Sequence, residues 1–314
     1  MKIELEELKE LFYGAIEFKI IDGYLAFYRF SEEQINNMQY EQFYYDRTKF
    51  SASVCIGFET KATSFSFAYK IVNISLRDSF DLYVNGVLMC SQSEEGLPNE
   101  EILTFSLPQG KKQVELYFPV DAEIRIKDFC IDGAWLNLPK KGAKVLWIGD
   151  SITQGAGSFS GGETYVNIVT RALNYHSLNQ GIGGYKHDSH ILLPLRDFQP
   201  DKIVVSLGTN DWLSGLKQRM EEFYKRFFQL YPKTPTLVIS PIWRGDSVEK
   251  VFALQEIRKM IESACRNKKQ VKMIDGFELV SHNDIYFWDK LHPNKLGMEQ
   301  YAKRLIEQIK VLNF

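Results

Sequence analysis

Near residue 140 the hydrophobic pattern of this chain changes period, and it does so only once. From Ile16 to about Asp132 the sequence repeats short β-branched and aromatic runs: IEFKI, YLAFYRF, FSASVCIGF, SFSFAYKIV, FDLYV, KQVELYF and AEIRIKDF. These runs have strand length, alternate in part, and are mostly separated by turn-forming residues, which predicts an antiparallel β-sandwich. After Leu138-Pro139-Lys140-Lys141-Gly142 the apolar runs KVLWI, KIVVSL, TLVIS and VKMI alternate with longer helical stretches such as ETYVNIVTRALN, KQRMEEFYKRFFQLY and SVEKVFALQEIRKMIESACRNK. Such alternation predicts parallel strands joined by right-handed helical crossovers, hence a three-layer α/β/α unit. The expected organisation is a jelly-roll-like β-sandwich over residues 1–140 followed by an α/β domain over 141–314, and a length of 314 residues agrees with two such units.

Local signals sharpen the first half. Asn85-Gly86 in DLYVNGVLM can supply the two positive φ angles of a type I′ hairpin. Ser31 with Gln34 three residues on predicts a capping box and one short helix inside the β region. Phe65, Phe67 and Tyr69 alternate as sandwich-core residues do.

Composition narrows the partners. The formal net charge of −2 gives no field to draw a phosphate backbone or an anionic lipid surface, so neither nucleic acid nor membrane is expected. The opening MKIELEELKELFYGAI carries acidic residues where an export signal needs basic ones, and no window approaches ~20 apolar residues; a cytoplasmic protein is the expectation. Cys55, Cys90, Cys130 and Cys265 are scattered without a CxxC or Cys/His pair, which predicts buried free thiols. A small neutral substrate suits such a chain, and a homo-oligomer is compatible with it.

The run KVLWI ends in Gly149-Asp150-Ser151-Ile152-Thr153, and ligands bind at the carboxyl ends of strands in open parallel sheets. This is not the G-x-S-x-G elbow, because Thr153 stands where that motif needs its second glycine. Gly181-Ile182-Gly183-Gly184, Gly208-Thr209-Asn210-Asp211 and Asp289-Lys290-Leu291-His292-Pro293 follow in order. Together the four segments resemble the sequence blocks of the SGNH (GDSL-type) hydrolase superfamily, over about residues 143 to 312. With the preceding β-sandwich, the arrangement resembles two-domain carbohydrate esterases.

A serine hydroxyl attacks well only when an imidazole takes its proton, and that imidazole must be held in one tautomer by an acceptor. Ser151, His292 and Asp289 can fill these roles: three residues of spacing allow one tight turn to set the carboxylate on Nδ1 while Nε2 faces the serine. Pro293 disfavours helical angles at His292 and keeps the turn a loop. His176 and His282 lack an aspartate three residues before them. The resemblance implies three donors for the oxyanion: the backbone N–H of Ser151, a backbone N–H of the glycine block, and the side-chain amide of Asn210. Gly181, Gly183 and Gly184 are all open on sequence, and Gly184, the last of the block, is taken.

Simpler readings stand beside these. Ser151 alone would read as a helix N-cap, His292 as a surface histidine before proline, and Asn210 as an Asx turn with Asp211. His187 and His190 in H-D-S-H suggest a metal pair, but no further ligand cluster accompanies them, and no metal is expected. The glycines of Q-G-I-G-G and G-A-G-S-F-S-G-G do not match the nucleotide-loop patterns, so no cofactor is expected. Trp243 and Arg244, after TLVIS, are candidates equally for lining the pocket and for loop packing. The sequence therefore predicts a serine esterase acting on small acyl esters, with O-acetyl groups on saccharides as substrate. The alternatives are a lipid or thioester acylhydrolase and a catalytically silent carbohydrate-binding protein.

Overall fold

The aromatic and β-branched runs of the first 137 residues form two antiparallel sheets. In one the strand order is Phe12–Tyr13, Cys55–Thr60, Lys112–Tyr117, Ser79–Val84, Val87–Ser93, with Trp135–Asn137 also paired to Cys55–Thr60. In the other it is Glu17–Ile21, Tyr24–Tyr28, Ala122–Ile131, Ser64–Ile74, Glu100–Ser106. This computed structural model describes residues 1–314 except 77, 94, 96, 134 and 213–215, and only the backbone of Trp135 and Leu136. Successive strand side chains point to opposite faces, and the inward sets of the two sheets meet in one core that includes Phe58, Phe65, Phe67, Tyr69, Phe80 and Phe118. Asn85 (φ 51°) and Gly86 (φ 79°) make the expected two-residue hairpin between Val84 and Val87. Ser31 Oγ accepts the Gln34 N–H at 3.2 Å while Gln34 Oε1 accepts the Ser31 N–H at 3.1 Å, closing the capping box that starts the helix Glu32–Asn37.

Three features depart from the sequence reading. Helices also form at Leu5–Leu8 and Gln42–Thr48. The second is built from aromatics that favour strands, but the Arg47 guanidinium lies 3.5 Å from the centre of the Phe43 ring one turn back, and tertiary packing overrides propensity. Cys90 is exposed and Cys130 half-buried rather than buried, Cys90 because it lies on an edge strand that is open to solvent along its length, whereas Cys55 and Cys265 are buried; all four thiols are free. Finally, the strand Tyr24–Tyr28 is buried along its whole length. Leu25 and Phe27 enter the sandwich core, while Ala26 and Tyr28 join Phe30, Ile35 and Met38 in the apolar core of the α/β half.

That half is built on a parallel sheet ordered His176–Gly181, Lys144–Gly149, Lys202–Ser206, Thr236–Ile239, Val271–Ile274. The three central strands are mostly apolar on both faces, as strands covered on both sides are, whereas the edge strand His176–Gly181 buries Ser177, Asn179 and Gln180. Leu146 and Ile148 pack with the helices Leu216–Leu230 and Val248–Cys265; Val145 and Trp147 pack with Tyr165–Leu173 and Lys295–Val311. The first strand of the sheet lies between the second and the third, and Gly149 is in register with both Gly181 and Ser206. The loops leaving these three strands therefore emerge side by side at one end of the sheet. Among the described residues no helix is long and apolar enough to cross a membrane.

Where the first strand ends, Asp150 turns out of the sheet and caps the short helix Ser151–Gln154, its Oδ1 accepting the Ile152 N–H at 3.0 Å. The serine thus begins a helix at the rim of the sheet. Burial pushes the Asp150 carboxyl up to about 7, the Ile152 N–H and Arg244 opposing that rise and Asp211 adding to it. For an acid whose folded value exceeds its unfolded one, the stabilising contribution is complete below the unfolded value and is lost as pH rises through the folded one. Asp150→Asn keeps a capping acceptor and removes the titration. Comparing unfolding midpoints of parent and variant at pH 5 and pH 8 should show the difference moving in favour of the variant at the higher pH. An unchanged difference would refute the assignment.

Candidate active site

His292 sits in a tight loop closed by a bridge between Phe287 and Pro293, with Trp288 N–H donating to the His292 carbonyl at 2.9 Å. Asp289 organises that loop with both of its oxygens. Oδ1 accepts the backbone N–H groups of Leu291 (3.0 Å) and His292 (2.7 Å), while Oδ2 lies 2.7 Å from His292 Nδ1. An acceptor on Nδ1 selects the tautomer that leaves Nε2 with its lone pair, and Nε2 lies 2.9 Å from Ser151 Oγ. Burial alone would raise the Asp289 carboxyl, but the His292 backbone and ring and the Leu291 N–H together hold it below its ordinary value. Behind the imidazole, Gly157 (φ 91°) comes so close that a Cβ there would lie 2.9 Å from both His292 Cβ and the Pro293 carbonyl oxygen. The glycine-rich loop after Ser151 is thus a wall for the histidine. It is pinned at its far end by the buried Asp81, which takes Ser160 Oγ and the Gly162 N–H (2.9 Å).

The glycine block follows the second strand of the parallel sheet, and its N–H groups are not equivalent. Gly181 N–H donates to Asn179 Oδ1 at 2.9 Å, and Gly183 N–H donates to Gln154 Oε1 at 2.7 Å. Gly184, at φ 74°, has an N–H with no hydrogen-bond partner among the described residues, as has the Ser151 N–H at its helix start. Asn210 follows the third strand and spends one amide hydrogen on the Tyr185 carbonyl at 3.1 Å, leaving the other. Ser151, Gly184, Asn210 and His292 line one cavity of about 210 Å³. Phe43, Arg47, Ser75, Leu76 and Asp121, from the segment that precedes the parallel sheet, also line it, as does Gln154. Burial raises the Asp121 carboxyl to about 6, against the pull of Arg47, Gln154, His292 and Arg29.

The remaining sequence candidates separate from this cavity. His187 is fully buried and its Nδ1 meets Asp211 Oδ2 at 2.7 Å, whereas His190 is exposed and pairs with Asp188. The two histidines of H-D-S-H do not converge, and among the described residues no group of three or more His, Cys, Asp or Glu is placed as metal ligands would be. The His187–Asp211 pair instead braces the loop beside Asn210. Arg244 donates to the Thr209 carbonyl (3.0 Å) and to Asp246, and Trp243 packs on His282 and Phe287, so both serve loop packing. Sequence reasoning missed Gln154, Asp121, Arg47 and Tyr44. No short motif marks them, and the one available hint was that Gln154 lies a single helical turn after Ser151.

No curated protein matches the chain in sequence. Among solved structures, the salicylyl-acyltransferase SsfX3 from a tetracycline biosynthetic pathway superposes with a TM-score of 0.80 at 18% identity, covering 96% of this chain and 94% of its own. A family two carbohydrate esterase from Clostridium thermocellum, in complex with cellohexaose, gives 0.67 at 18% identity over 84% of this chain and 93% of its own. An acetyl xylan esterase from the rumen bacterium Butyrivibrio proteoclasticus gives 0.60 at 18% identity over 82% and 89%. At such identities the likeness is one of fold. The sequence match is separate evidence: residues 147–300, which carry the ordered blocks, match the GDSL-like lipase/acylhydrolase family.

Proposed function

We propose that the protein is a serine esterase that hydrolyses small acyl esters, with O-acetyl groups on carbohydrates as its substrate class. The observation that carries this reading is the unbroken line from Asp289 through His292 to Ser151 Oγ, opening on a cavity rimmed by unpaired N–H donors. In the reading, Ser151 Oγ attacks the ester carbonyl as His292 Nε2 takes its proton. The resulting oxyanion is met by the N–H groups of Ser151 and Gly184 and by the Asn210 amide. Collapse expels the alcohol, protonated by His292, and leaves an acyl-serine; water then attacks with His292 again as base, releasing the acid. Asp289 holds the imidazole in the tautomer that both half-reactions need.

A cavity of about 210 Å³ is small for a ligand site and supports a short acyl group. The carbohydrate part rests on fold-level analogy with the carbohydrate esterases. Division into a β-sandwich over 1–140 and an esterase domain over 141–314 belongs to the same reading. A second reading is favoured by the fold likeness to the acyltransferase: an acyl-serine can be resolved by an alcohol instead of water, and product analysis with an added sugar acceptor separates the two.

Ser151→Ala should lower turnover of 4-nitrophenyl acetate at least ~10³-fold with circular dichroism and unfolding midpoint unchanged; undiminished turnover would sink the esterase reading. Asn210→Ala should cost about 10²–10³ in kcat, or ~2.7–4 kcal/mol, with KM little altered. A loss confined to KM would remove Asn210 from the oxyanion site. Across a series of 4-nitrophenyl esters, kcat/KM should fall steeply beyond short acyl chains. A maximum at long chains would favour a lipid acylhydrolase.

A further inference from the structure

The loop that carries Gly184 is gripped from outside the four motif blocks. Arg29, fully buried, donates to the carbonyls of Asn179 and Gly181 (3.0 Å to the latter), and Tyr44 Oη donates to the Gly184 carbonyl at 3.1 Å. Between these holds, Gly183 N–H is taken by Gln154 Oε1 at 2.7 Å, and the Gln154 Nε2 donates to Asp121 Oδ1. Asp121 is itself fixed, its N–H donating to Asp78 Oδ2 at 2.9 Å and its carbonyl accepting the Ser75 N–H at 2.9 Å.

Two consecutive glycines form the least restrained backbone a chain can offer, so an N–H within such a pair stays in place only if something outside holds it. An amide side chain can turn over and present either end. An ionised carboxylate only accepts, so Asp121 requires the Gln154 NH₂ to face it and thereby leaves the Gln154 oxygen for Gly183. Gln154 also sits on the same short helix as Ser151, which couples nucleophile and loop.

We propose that Gln154 and Asp121 are positioning residues: Asp121 orients the Gln154 amide, and Gln154 fixes Gly183 so that the Gly184 N–H is preorganised for the oxyanion. This rests on the reading of Gly184 as an oxyanion donor. The β region thereby supplies part of the catalytic geometry as well as part of the cavity wall.

The experiment is steady-state kinetics on 4-nitrophenyl acetate with unfolding midpoints measured alongside. Gln154→Met, which keeps the shape and loses both hydrogen bonds, and Gln154→Glu, which sets two carboxylates against each other, should each lower kcat about 10–100-fold with KM within about twofold. The double variant Asp121→Asn/Gln154→Glu exchanges donor and acceptor between the two side chains and should bring kcat back to within about fivefold of the parent, because the Gly183 N–H again has an oriented acceptor. Folded Gln154→Met enzyme with kcat within twofold of the parent overturns the proposal, as does a double variant no better than Gln154→Glu at equal stability. Ser151→Ala run in parallel keeps the two claims apart. If that variant stays active, the esterase reading fails; if it is inactive while Gln154→Met is not impaired, only the positioning role fails.

Discussion

Everything at the candidate site depends on the order of three strands. Because Lys144–Gly149 lies between His176–Gly181 and Lys202–Ser206, the segments that follow them are forced to one place, although Ser151 and Asn210 are far apart in sequence. Register does the rest: Gly149 stands level with Gly181 and Ser206, so the three exits are flush. A sheet with the first strand at its edge would carry the same residues and assemble nothing. His292 needs a different device, since it arrives after the last strand. Its position is set by the Asx-type turn of Asp289 and by the close approach of Gly157.

Around this frame the chain divides labour in an unexpected way. The α/β half brings the reactive side chains, while the loop that faces them is restrained largely by Arg29, Tyr44 and, through Gln154, Asp121. Electrostatics explains why such a hold must be built from several groups. A buried carboxylate beside two arginines is tolerable only where its hydrogen bonds are complete, and Asp121 has Gln154 as donor with Arg47 and Arg29 nearby.

What could be read in advance was what is local or periodic. The change of period separates the antiparallel sheets from the parallel one; the Asn85-Gly86 turn and the Ser31 box are complete within four residues; Asp289 and His292 meet because three residues suffice for the turn that joins them. Unreadable features were those set by distant partners. Gly183 and Gly184 look alike in the sequence, and only the side chain of Gln154, 29 residues before Gly183, distinguishes their N–H groups. Asp121 reaches Gln154 across 33 residues with no motif to announce it. The helix Gln42–Thr48 is a case where packing overrules the strand preference of Phe43, Tyr44 and Tyr45.

The strand Tyr24–Tyr28 feeds two cores at once, Leu25 and Phe27 one way and Ala26 and Tyr28 the other. Genes for modular proteins recombine most safely at linkers, and Leu138–Gly142 looks like one. Yet a chain that acquired this α/β half by fusion at that point, without its own first forty residues, would inherit a sheet face stripped of Tyr28, Phe30, Ile35 and Met38. The two halves therefore share one strand as a structural property: set against a foreign partner, the α/β half would expose the apolar face that Tyr28, Phe30, Ile35 and Met38 now cover.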